Sequence, residues 1–229
     1  MAKKKKVTRK QLLKEPDEFM TITGKSLSFV KKHQAVISYA IGVTFLLGIG
    51  VSGIKYFSNK AENKAFAMLG QCVAKYETMI EDVGPEKACL GVETDFHQIM
   101  EKYSGKDGGK IASVIFADVY YNAGDYDKAI KLYKKALDEF DDDRFVKNRI
   151  LISMGYAFEG KKDFKSAAKC FEKIVLEPDL IMKDEALFSL GRLYDVTGNP
   201  DKSINVYKKI LSDHPNSMYI EIVKERIAG

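Results

Sequence analysis

Tryptophan is absent from this chain of 229 residues, and cysteine, histidine and proline are scarce, at three, three and five copies. Three cysteines, Cys72, Cys89 and Cys170, cannot build a disulfide framework. Cys72 and Cys89 either meet across a helical hairpin or remain two small buried thiols. His33, His97 and His214 stand far apart with no partner at ligand spacing, so no zinc set is recognisable. Asp141-Asp142-Asp143 lacks the glycine and terminal glutamate of a calcium loop and reads as a solvated loop that caps the next helix. Gly24-Lys25-Ser26 resembles the end of a phosphate-binding loop, but Phe19 stands where that loop needs a glycine, and no strand precedes it. No serine or cysteine has a recognisable nucleophile context. The reading is therefore no catalytic residue, no cofactor, no metal and no enzyme. Strand-like alternation is missing as well, which leaves an all-α fold.

Charge is distributed unevenly. The total of +5 conceals a tail, residues 1–34, with ten Lys or Arg against three acids, a net +7. The remainder carries 27 bases against 29 acids, a net −2. The basicity belongs to the tail, so nucleic-acid binding by the folded part has no support. The tail MAKKKKVTRKQLLK is read as a segment that sets topology and faces anionic lipid.

What the chain does have is one long apolar run. Residues 35–54, AVISYAIGVTFLLGIGVSGI, contain no charge. At about 1.5 Å rise per residue these 20 residues span roughly 30 Å, the hydrocarbon thickness of a bilayer. The run is longer than a signal-peptide core and stands behind 34 residues, which favours an anchor over a cleaved leader, although Gly50 and Ser52 are small enough to serve a cleavage site. Ten bases in the 34 residues before it, against five in the 34 after, put the N-terminus in the cytoplasm and the C-terminal part outside. Ser38-x-x-x-Gly42 and Gly48-x-x-x-Ser52 would let another membrane helix pack closely.

After the run, apolar residues recur at helical spacing, interrupted by short breaks such as Val83-Gly84-Pro85, residues 104–109, Ala123-Gly124-Asp125 and residues 159–163. Helices of about 12–18 residues in an antiparallel array are expected. The array repeats. Ala117-x-x-Tyr120, Gly124-Asp125-Tyr126 and Ala129-x-x-x-Tyr133-x-x-Ala136 form one unit. Gly155-x-x-Phe158, Asp163-Phe164, Ala167-x-x-x-Phe171-x-x-Ile174 and Pro178 form the next. Gly191-x-x-Tyr194, Gly198-Asn199-Pro200, Ser203-x-x-x-Tyr207-x-x-Ile210 and Pro215 form the third, at offsets of 38 and then 36 residues. Such a period marks a solenoid, in which hairpins must stack to hide their apolar faces. The small residues let paired helices approach, the aromatics fill the gap to the next unit, and Asp125, Asp163 and Asn199 cap the second helices.

This small/aromatic pattern resembles the tetratricopeptide repeat over residues 110–217. Its usual Trp is replaced by Ser113, Leu151 and Leu187, and both offsets exceed the usual 34. The organisation expected is a basic tail (1–34), a transmembrane helix (35–57), a degenerate first hairpin (58–109), three repeats (110–217) and a capping helix (218–229). By register with the repeat family, the first helices would line a protein-binding groove. Its residues would be Val114, Asp118, Tyr121 and Asn122, then Ile152, Tyr156 and Glu159, then Phe188, Arg192 and Asp195. The alternative for Val114, Ile152 and Phe188 is the core.

The layout as a whole resembles YfgM-like proteins, single-pass inner-membrane subunits found beside the bacterial secretion channel. The shared features are Phe29-Val30-Lys31-Lys32-His33 leading into a Gly-rich span and Tyr56 just after it. The resemblance implies a tethered scaffold in the inner membrane with a periplasmic domain. Its partners would be periplasmic chaperones, the secretion channel or exported chains. A structural subunit of a division or outer-membrane assembly complex, or an enzyme with an unrecognised site, is the competing assignment.

Overall fold

The computed structural model describes residues 18–177 and 181–228. Ten α-helices occur among them: α1 (Glu18–Lys32), α2 (Gln34–Val83), α3 (Pro85–Lys102), α4 (Asp107–Asn122), α5 (Tyr126–Glu139), α6 (Arg144–Gly160), α7 (Phe164–Leu176), α8 (Lys183–Val196), α9 (Pro200–Asp213) and α10 (Ile220–Ala228). Internal contacts divide the chain into two units, Met1–Ser58 and Asn59–Gly229. Residues 1–17 of the basic tail and Pro178 lie outside the described residues.

In the first unit, Gly24-Lys25-Ser26 sits inside helix α1, so it forms no phosphate-binding loop. The apolar run lies in α2, where Tyr39, Ile41, Phe45, Leu46, Leu47, Ile49, Val51 and Ile54 are all exposed. Its best window has a mean hydropathy of 2.0 and no buried residue, and α2 is long and apolar enough to cross a membrane. No break separates the expected span (35–57) from the first hairpin (58–109): α2 continues without interruption to Val83. Gly50 and Gly53 weaken a helix by about 1 kcal/mol each without ending it, and no proline stands between Gln34 and Val83. Gly84, at φ 81°, and Pro85, at the first helical position, are what end α2 and start α3.

In the second unit each helix packs mainly on its sequence neighbours, and α4 also touches α6. Lys75 on α2 pairs with Asp95 on α3 at 2.7 Å. The repeat pattern is visible in the burial. Ala129, Ala167 and Ser203, then Tyr133, Phe171 and Tyr207, then Ala136, Ile174 and Ile210, are all essentially inaccessible. Ser113, Leu151 and Leu187, which stand in the place of the family's Trp, are buried too. The aromatic also fills space within its own unit. A Cβ added at Gly155 would lie 2.6 Å from Cζ of Phe171, and one at Gly191 would meet the Tyr207 ring, so each ring is seated on the small residue of its own hairpin.

The start of α4 is held from a distance. Glu62 on α2 accepts from the backbone N–H of Asp107 at 3.2 Å and of Gly108 at 2.7 Å, supplying the N-terminal acceptor that Lys106 cannot. Gly108 permits this approach, since a Cβ there would lie 2.7 Å from that of Ala65.

The three intra-repeat turns share one construction. Gly124, Lys162 and Gly198 occupy the left-handed region, at φ 78°, 62° and 75°. In the first turn, Gly124 N–H donates to Tyr121 and Asp125 N–H to Tyr120; the other two turns repeat both bonds. That is a Schellman ending. The next residue then begins the second helix. Asp125 and Asp163 accept from the N–H three residues on, at 3.2 and 3.1 Å, and Asp143 does the same at the start of α6. Asn199 does not cap with its side chain; its amide donates instead to the Thr197 carbonyl at 3.0 Å, and Pro200 stands at the first helical position. Lys162 is the odd member, because a Cβ in this conformation costs about 1–2 kcal/mol. Lys162→Gly should therefore raise unfolding stability by about 1 kcal/mol once the greater freedom of the unfolded glycine is offset. Urea denaturation would show an unchanged or lower midpoint if the turn were not strained.

Candidate protein-binding groove

The first helices of the three repeats, α4, α6 and α8, line one side of the hairpin stack. Between them lies a concavity of about 590 Å³ bounded by Asp118, Tyr121, Asn122, Tyr133, Arg149, Ser153, Tyr156, Met182 and Glu185. Four residues expected in the groove, Asp118, Tyr121, Asn122 and Tyr156, are brought together here.

The other expected residues divide into two groups. Glu159 and Arg192 form an ion pair at 2.5 Å between α6 and α8, and the second Glu159 oxygen is buried without a hydrogen-bond partner. Asp195 accepts from Tyr207 at 3.2 Å and lies 3.8 Å from Arg226. These three staple neighbouring helices and are not in the concavity's lining. Val114, Ile152 and Phe188 belong to the core side. Ile152 is 0% exposed, Val114 packs against the main core, and Phe188 stacks on Tyr219 with ring centroids 4.4 Å apart. That row is corrected from groove to core: Val114 and Ile152 join the main core, and Phe188 packs against the smaller cluster that holds Tyr207 and Tyr219.

Sequence reasoning missed Tyr133, Arg149, Ser153, Met182 and Glu185. On α6 the lining residues are Arg149, Ser153 and Tyr156, spaced four and three apart, which is one helix face. Starting from Ile152 in place of Ser153 rotates the assignment by about 100°. The Tyr133 ring is fully buried, and its hydroxyl reaches the cavity and donates to Asp118 Oδ1.

The floor is polar and partly buried. Burial pushes the Asp118 carboxyl above the usual aspartate range, while the Tyr133 and Ser153 hydroxyls and the Arg149 charge pull it back. Tyr156 donates to Glu185 at 3.2 Å and lies 3.1 Å from Ser189 Oγ, and burial is the main cause that raises its phenol to about 12. Arg149 donates to Ser153 Oγ at 2.8 Å. For Asp118, a folded-state value above the unfolded one means that the folded chain prefers the protonated form. The resulting penalty is absent below the unfolded value of about 3.9 and complete above the folded value. Asp118→Asn retains an acceptor for Tyr133 and removes the charge. Its stability advantage over the parent should be near zero at the acid end and grow as pH rises through the carboxyl range. A urea midpoint difference independent of pH would contradict this account.

Other concavities offer less. An apolar trough along α2 is lined by Ala40, Ile41, Thr44, Phe45, Gly48 and neighbours, with no converging charged groups. No group of three His, Cys, Asp or Glu able to hold a metal occurs among the described residues. Cys72, Cys89 and Cys170 are free and buried, and burial raises each thiol to about 11, so they pack as small apolar groups.

Two family profiles described as tetratricopeptide repeat match the chain, one over residues 116–143 and the other over 185–217. Among solved structures, kinesin light chain TPR-like repeats from Podosopora anserina are 10% identical with a TM-score of 0.53, covering 71% of this chain and 82% of that one. BtubC (BKLC) from P. vanneervenii is 15% identical with a TM-score of 0.50, covering 73% and 70%. No curated protein matches the sequence. At these identities the structural likeness speaks for the fold: an all-α stack of tetratricopeptide-type hairpins, an architecture that typically serves protein–protein interaction, and no enzymatic family is indicated.

Proposed function

We propose that this tetratricopeptide-repeat chain is a membrane-tethered scaffold that holds partner proteins in the α4–α6–α8 concavity at the outer face of the inner membrane. In this reading α2 crosses the bilayer through residues 35–57. The basic tail stays with anionic lipid in the cytoplasm, and the repeats stand in the periplasm. The resemblance to YfgM-like proteins favours a place beside the secretion channel, with periplasmic chaperones or exported chains as partners. The observation that carries the proposal is the pairing of two features: an apolar helix with none of its hydropathy window buried, and a repeat array whose concave side holds an open, mixed polar and aromatic cavity. Tethering matters energetically because it raises effective concentration, so a weak groove can serve clients that it would miss in solution. The trough beside Gly48 and Ser52 gives a second membrane helix a place to pack.

In-cell photocrosslinking tests the groove. A crosslinker at Tyr121 or Glu185, inside the cavity, should capture discrete extracytoplasmic proteins. One at the exposed Lys131, on second helix α5, should not capture the same set. Identical adducts from all three positions, or none from the first two, would refute the groove. A reporter active only outside the cytoplasm, fused after Gly229, should be active.

A further inference from the structure

The concavity's charge and geometry say which chemistry enters it. Its lining carries two carboxylates, Asp118 and Glu185, and one guanidinium, Arg149. Neither carboxylate forms an ion pair among the described residues; the donors they receive are neutral hydroxyls, Tyr133 and Ser153 for Asp118 and Tyr156 for Glu185, and Arg149 acts on Asp118 only through its field. A neutral donor fixes the orientation of a carboxylate and leaves its charge in place. Arg149 turns to Ser153 Oγ, also a neutral group, and is exposed, whereas Asp118 lies deeper and is desolvated. The other charged groups of this face, Glu159 and Arg192, neutralise each other at 2.5 Å. The cavity therefore holds a net negative charge, with its less hydrated carboxylate at the floor. Tyr121 and Tyr156 stand in the walls and present aromatic surface to whatever enters. Negative charge at depth and aromatic rings beside it complement an ammonium or guanidinium on a flexible stem.

We propose that the groove recognises an extended polypeptide through one inserted basic side chain, lysine or arginine, which sits between Asp118 and Glu185 with its stem against Tyr121, Tyr156 and Met182. This rests on the reading of the concavity as a protein-binding groove and specifies its partner. Arg149, at the rim, works against such a guest and in favour of an acidic one, so its removal distinguishes the two by sign.

The experiment uses the full-length chain in detergent micelles, panned against a phage-displayed library of random dodecapeptides. The tightest peptide is then made with a fluorescent label, and its anisotropy is read with the parent chain, Glu185→Gln and Arg149→Gln. Enriched peptides should share one Lys or Arg. Glu185→Gln should weaken binding by about tenfold, Arg149→Gln should tighten it by a few-fold, and exchanging the shared basic residue for Glu should abolish it. Glu185 and Arg149 are not core residues, and an unchanged thermal melt would show that both variants fold. Peptides enriched in Asp or Glu, or in no charge, or weakened binding to Arg149→Gln, would overturn the basic-guest proposal and leave the groove standing. Failure to enrich any peptide would overturn both.

Discussion

Phe171→Ala should remove about 3–5 kcal/mol from the stability of the repeat unit, a large part of the roughly 5–15 kcal/mol that a domain commands. Phe171 is fully inaccessible, sets the tip of its ring against Gly155, and has its ring centroid 5.6 Å from that of Tyr156. Truncation leaves a ring-sized void between α6 and α7, and both helices are pinned by neighbouring hairpins, so collapse into the void is limited. In a stack where each hairpin is buried by its neighbours, loss of the middle unit also uncouples the first from the third. The urea midpoint should fall accordingly, and the transition should broaden or split. Leu176→Ala on the same helix, at a side chain 82% exposed, should stay within about 0.5 kcal/mol of the parent. Gly155→Val tests the same contact from the other side: its added methyls have no room beside the ring, and it should destabilise too. Combining it with Phe171→Ala should recover part of the loss, because each change makes space for or fills the other. Purely additive losses would show that the two positions do not share a packing site.

That contact was legible in the sequence because its two partners are 16 residues apart and recur in every unit. The small residue and the aromatic, Ala117 with Tyr133, Gly155 with Phe171 and Gly191 with Tyr207, declare a hairpin whatever else the helices carry. The capping acids at Asp125 and Asp163 were legible for the same reason, since a cap acts on its own chain segment. What escaped was set by distance or by phase. Glu62 closes the start of α4 from 45 residues away, and nothing near Asp107 announces it. Helix α6 is apolar on most of its circumference, with Ile150, Leu151, Ile152, Ser153 and Met154 all buried, so periodicity cannot tell its groove face from its core face, and the choice of Ile152 over Ser153 fell on the wrong side. Lys162 escaped because lysine carries no sign of a left-handed conformation; only alignment with Gly124 and Gly198 reveals the position. The continuity of α2 escaped because a change of composition near Ser58 looks like a boundary, although helical backbone geometry does not depend on which solvent the side chains meet.

The membrane assignment has the most decisive test, because its energy is concentrated in few residues. Phe45 and Leu46 stand at the middle of the uncharged run and are 70% and 68% exposed, so replacing them disturbs no packing within the chain. In water such a surface would be costly, since nine large apolar side chains from Tyr39 to Ile54 lie uncovered at about 25 cal/mol per Å². In lipid it is the favourable state. Arginine at the centre of a spanning helix costs about 2.5–3.5 kcal/mol, against a small gain for Phe or Leu. Phe45→Arg with Leu46→Arg should therefore cost roughly 6–8 kcal/mol of insertion energy, or about four to six orders of magnitude in partitioning. The parent chain should remain with vesicles in alkaline carbonate and leave only with detergent, whereas the double variant should be washed into the supernatant. The unfolding midpoint of the repeats should be the same in both, because the substitutions lie in the first unit and the core of the repeats in the second. Carbonate release of the parent, or retention of the double variant, would show that the exposed apolar surface of α2 is covered by something other than lipid.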